Sequence, residues 1–108
     1  MARKNLFVTE NGRKIIGKYL HNYRLSLPYE MRLEDLRDKI IKETGYEECS
    51  VSSLSKLENG IMRYNSNLVT AMVHVYGIRH PTEPRIYDFY DFHEAACENF
   101  SLDTGLPL

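Results

Sequence analysis

Along most of the chain apolar residues recur at three- and four-residue spacing and strict alternation is rare, which predicts an all-α protein. The first helix is expected to begin at Thr9 or Asn11, either of which can cap free amide groups. It runs to about Leu25, with Ile15, Ile16, Tyr19, Leu20 and Tyr23 inward. Pro28 closes it off, because proline donates no amide hydrogen and pushes the preceding residue out of the helical region. A second helix from Arg32 to about Thr44 turns Leu33, Leu36, Ile40 and Ile41 inward, carries alternating charges outside and stops at Gly45. Ser50 is the expected N-cap of a short third helix with Val51, Leu54 and Leu57 at helical spacing, ended by Asn59-Gly60. Residues 66–76 read as a strongly apolar fourth helix ending at Gly77. After Pro81 and Pro84, the residues Ile86, Phe89, Tyr90, His93, Ala96, Cys97 and Phe100 recur at helical spacing opposite Asp88, Asp91, Glu94 and Glu98. They predict a fifth, amphipathic helix over about residues 84–100, and Ser101 to Leu108 read as an irregular, frayed end.

A chain of 108 residues with 43% apolar and 27% charged side chains is long enough for one core. No apolar run reaches the ~18 residues of a membrane span, so a soluble, cytoplasmic protein without membrane contact is expected. The two cysteines, Cys49 and Cys97, lack metal-ligand spacing and are expected as reduced thiols. The four histidines, His21, His74, His80 and His93, are dispersed. His93 and Cys97 share a helical face but supply two ligands where zinc needs three or four. With no nucleophile beside a base and no phosphate-binding loop, neither enzyme activity nor a cofactor is expected.

The net charge of -1 hides an asymmetry. Residues 1–63 carry 12 Lys/Arg against 9 Asp/Glu, whereas residues 64–108 carry 2 against 6. In the first 24 residues six basic side chains, Arg3, Lys4, Arg13, Lys14, Lys18 and Arg24, face only Glu10, a balance that attracts a polyanion by counterion release. The expected organisation is a basic arm over residues 1–10, a helical domain over 11–78 and an acidic, aromatic extension over 79–108.

The run Ser50-Val51-Ser52-Ser53-Leu54-Ser55-Lys56-Leu57-Glu58-Asn59-Gly60 carries the candidate chemistry. A short helix with small polar side chains, anchored by Leu54 and Leu57, can approach a major groove closely. Its serine hydroxyls can meet base edges and phosphates, Ser53 being assigned to phosphate, and Lys56 can reach a guanine edge. Serines at a helix start are equally what simple capping supplies.

Three places in the chain resemble one family: Ile16-Gly17-Lys18-Tyr19-Leu20 through Arg24, Leu33 to Ile40, and Ser52 to Gly60 with its Leu57-Glu58-Asn59-Gly60 ending. Over residues 11–78 the chain resembles the lambda-repressor-like helix-turn-helix domains of the Cro/C1 or XRE-like type. The resemblance implies a five-helix domain of that kind, with the amphipathic C-terminal helix as an addition. It implies a structural ion pair between Arg24 and Glu58, base readout by Val51, Ser52, Ser55 and Lys56, and phosphate contact by Asn59. Arg32 and Arg63 are further phosphate candidates. The chain departs from the family in a longer connection between Leu36 and Ser50, in Leu33 where relatives carry glutamine, and in Arg37 where they carry a small residue.

The function implied is a sequence-specific regulator of transcription, repressor-like, that binds double-stranded DNA with helix three in the major groove. One such module reads a half-site, so a homodimer is expected, with Ile86, Phe89, Tyr90, His93, Cys97 and Phe100 as its candidate interface. The same aromatic face can instead close the core of its own chain. The alternative function is a protein-interaction adaptor or antitoxin-like partner acting through that helix.

Overall fold

Side-chain caps and glycine stops set the helix boundaries. In the computed structural model, which describes residues 4–108, the Thr9 hydroxyl accepts from the Gly12 amide at 2.8 Å and starts α1, Glu10–Ser26. Arg3 of the expected basic arm lies outside the described residues. α2, Leu33–Thr44, ends at Gly45, and α3, Val51–Glu58, starts where the Ser50 hydroxyl accepts from the Ser53 amide. Asn65 caps α4, Ser66–Tyr76, and Asp88 caps α5, Phe89–Ala96. Two short antiparallel strands, β1 (Phe100–Ser101) and β2 (Leu106–Pro107), complete the chain. The fold is therefore all-α, with one small hairpin appended.

α1 lies between α3 and α5, which do not touch each other, while α2 packs on α3 and α4. Ile16 and Leu20 of α1, Leu36 and Ile40 of α2, Leu54 of α3 and Leu68, Val69 and Met72 of α4 form one core. Tyr87, Phe92 and Leu102 belong to that same core, so residues 79–108 share their apolar interior with the preceding helices. Burying a side chain the size of Phe92 contributes on the order of 2 kcal/mol or more. No described helix is long and apolar enough to cross a membrane.

The C-terminal region departs from the expected single helix over 84–100. Ile86 forms a bridge with Arg79 instead, because the Tyr87 amide donates to the Ile78 carbonyl at 2.7 Å. The helix starts only after Asp88, whose carboxylate accepts from the Asp91 amide while Asp91 accepts from the Asp88 amide. It ends at Ala96, Cys97 is its buried C-cap, and Glu98 takes φ 60, a left-handed backbone that breaks the helix before Phe100. Residues 101–108 are ordered by the hairpin: the Tyr87 hydroxyl donates to the buried Leu102 carbonyl at 2.6 Å, and the Leu108 amide to Asn99. On α1, Ile15 faces outward with 41% of its surface exposed, in contrast to its expected inward place.

Candidate nucleic-acid interface

α3 is short, and its position is set by one buried charge. Glu58 is 3% exposed at its side chain and would be costly to bury alone. It accepts from Arg24 Nε at 2.8 Å and Arg24 Nη2 at 2.9 Å, a two-pronged contact that matches guanidinium to carboxylate. His21 Nδ1 lies 2.8 Å from the same carboxylate, and Arg24 Nη1 donates to the Met31 carbonyl. Hydrogen bonding to Glu58 raises the Arg24 guanidinium further above its ordinary value. The brace thus joins α1, α3 and the loop that leads into α2. His21 escaped the sequence reading, although its spacing from Gly17 and Arg24 puts all three on one face of α1.

Backbone contact fixes the other side of that joint. A β-carbon on Gly17 would overlap the Leu57 carbonyl oxygen and lie 2.8 Å from that of Glu58, so α1 and the end of α3 meet main chain to main chain. Past the helix end, the Gly60 amide donates to Leu57 and the Ile61 amide to Lys56, with Gly60 at φ 67, a left-handed helix stop.

With Leu54, Leu57 and Glu58 buried, α3 turns Ser52, Lys56 and Asn59 outward at spacings of four and three residues, hence on one face. Val51 and Ser55 are half-buried at its margin. Asn59 folds back, donating its side-chain amide to the Ser55 carbonyl at 2.8 Å, and among the described residues its side-chain oxygen accepts no hydrogen bond. The Ser53 hydroxyl accepts from Ser50 at 3.0 Å, so both serines also serve the cap. Arg63, just beyond the helix stop, is exposed, and among the described residues neither it nor Lys56 has an ion-pair partner.

Arg32 differs. It sits 3.4 Å from the Asp35 carboxylate and 4.0 Å from that of Glu34, and its backbone amide donates to Asp35 as well. These bonds raise Arg32 and lower Asp35, so a phosphate here would compete with two carboxylates. The longer connection after α2 is partly extra helix and partly a loop without regular structure, and it leaves Glu47 and Glu48 exposed just before α3. Charge along the helix is therefore graded, acidic at the approach and basic at the Lys56 and Arg63 end.

The six C-terminal candidates do not form one exposed face. Ile86 and Tyr90 point outward, with 55% and 74% of their surfaces exposed. Phe89 is half-buried against His93, Phe100 against Tyr87 and His80, and Cys97 is buried. Cys97 Sγ lies 3.7 Å from His93 Nε2, and burial pushes its thiol up, away from the reactive thiolate. No group of three or more metal-binding side chains occurs among the described residues. Tyr87 and Phe92 anchor this region; Phe92 is absent from the residues expected on the apolar face, although it lies three and four residues from Phe89 and Ala96, the spacing that finds it.

Comparison with protein-family models, with curated proteins and with solved structures finds no match to this chain.

Proposed function

We propose that the protein is a sequence-specific regulator of the helix-turn-helix class, repressor-like, that binds double-stranded DNA with α3 in the major groove. One observation carries the reading: a helix of eight residues is held rigidly from behind by Arg24, His21 and Gly17 while its outer face offers Ser52, Lys56 and the Asn59 oxygen. Rigid presentation suits base readout, because a bidentate or hydroxyl contact discriminates between bases only when its donor is fixed. Lys56 serves as the base reader and Arg63 as the phosphate contact. Arg32 is left a minor part, since Asp35 and Glu34 already hold it.

A second reading, a protein-interaction adaptor or antitoxin-like partner, draws on Glu47 and Glu48 beside α3 and on the outward Tyr90 and Ile86. Titration into random-sequence duplex DNA with excess non-specific competitor, followed by sequencing of the retained fraction, separates the two. An enriched motif is expected. Weak, salt-sensitive binding without enrichment would transfer the function to the adaptor reading.

A further inference from the structure

We propose that two copies of this chain pair through a groove between α1 and the C-terminal hairpin, on the side of α1 away from α3. The groove has a volume of about 660 Å³ and is walled by Ile15, Lys18 and Tyr19 from α1 and by Phe100, Asp103 and Leu108 from the C-terminal segment. A neighbouring groove shares Phe100 and Leu108 and extends the surface to Tyr90 and Pro107. Ile15, Tyr90 and Leu108 are 41%, 74% and 75% exposed along it, among polar and charged neighbours that include Lys18, Asp103, Lys4 and Glu94, and exposed apolar side chains rimmed by polar ones mark an interaction surface.

The occupant is a second copy because the surface complements itself. A two-fold contact requires that each patch carry both what projects and what receives, and both signs of charge. Here Ile15 and Leu108 project beside the hollow that could receive them. Lys18 stands on the α1 wall and Asp103 on the hairpin wall, both exposed, and among the described residues neither has an ion-pair partner. Laying α1 of one copy across the groove of the other brings each Lys18 to the other copy's Asp103. The hairpin holds Asp103 ready: Tyr87 fixes the Leu102 carbonyl beside it, and the Gly105 amide closes the turn on Ser101 at 2.8 Å. Of the expected α5 interface this surface keeps Tyr90 and Phe100, while Cys97 is buried and Phe89 and His93 are turned half inward.

The test is sedimentation of the full chain without DNA, so that it succeeds or fails independently of the DNA reading. The wild-type protein is expected to dimerise, and Lys18→Glu and Asp103→Lys, made separately, each to weaken self-association by about tenfold or more. Mixing the two variants should restore pairing, because each contact then joins opposite charges again. Recovery on mixing also shows that both variants fold. A wild-type chain that remains monomeric would overturn the proposal and leave the groove to a small molecule. Two variants that dimerise as the wild type does, or a mixture that recovers nothing, would overturn it too.

Discussion

α3 and α5 are both eight-residue helices, both are capped by a side chain, and both dock on α1 over a glycine. Gly17 admits the Leu57 and Glu58 carbonyls, and Gly12 admits that of Ala96. Yet α3 is locked by a buried charge and shows a polar, basic outer face, whereas α5 is locked by the aromatic Phe92 and shows Tyr90, with Glu94 half-buried. A charge anchors direction as well as depth, since Arg24 meets Glu58 in one geometry only, while an aromatic ring anchors depth. Of the two helices, α3 is the one whose ion pair is buried on both sides.

Breaking the two anchors should give unequal results. Glu58→Ala strands a guanidinium that is only 10% exposed and should cost about 3 to 5 kcal/mol by urea unfolding. On α5 the corresponding pair is Arg85 with Asp91 at 2.8 and 3.0 Å; Asp91 is 11% exposed, but the guanidinium left behind on its removal is 40% exposed. Asp91→Ala leaves Arg85 open to water and also removes the bond from the Asp88 amide, so it should destabilise clearly less than Glu58→Ala. Equal losses would mean that burial does not distinguish the two helices.

The glycines sharpen the contrast at smaller amplitude. Gly17→Ala and Gly12→Ala each force a methyl group against backbone that cannot rotate away, with an expected loss of about 1 to 3 kcal/mol. Hydrogen exchange should then report different places. Gly17→Ala should speed exchange in α3, and Gly12→Ala in α5 and the hairpin, with α3 unchanged.

The smallest effect is acid dependence at the junction of α1 with the end of α5. Asn11 at 2.6 Å and Thr9 at 2.7 Å donate to the Glu98 carboxylate and hold it below its ordinary value. A carboxylate lowered on folding stabilises fully above its unfolded value, about 4.3, and the contribution disappears as pH falls through the lowered folded value. Glu98→Gln should therefore be less stable than wild type at neutral pH, and the two should converge in acid. Parallel curves at every pH would remove Glu98 from the junction.

The first four helices were legible because their signals are local. Thr9, Ser50 and Asn65 cap within three residues of themselves, and Gly45 and Gly77 stop α2 and α4 with left-handed backbone. α5 was overextended because the residue that ends its turn in left-handed backbone is Glu98, where the sequence offers no glycine to signal it. The two-residue strands were invisible for another reason: β1 is defined by its pairing with β2, and the cue of alternation needs a longer run. At the candidate interface, the chemistry of Ser52 and Lys56 could be read from residue type and spacing. The competition of Asp35 and Glu34 for Arg32 depends on side-chain geometry that residue type alone does not give, although their spacing places them in its reach.

Base readout by α3 is tested most directly by a paired substitution. Lys56→Ala and Arg63→Ala are titrated against a duplex recovered by selection and against its scrambled sequence, over a series of salt concentrations. Lys56→Ala is expected to weaken binding to the selected duplex by about 1 to 3 kcal/mol and to the scrambled one much less. Arg63→Ala should weaken both alike and lower the salt slope by about one. Equal losses on the two duplexes from Lys56→Ala would contradict base readout by α3.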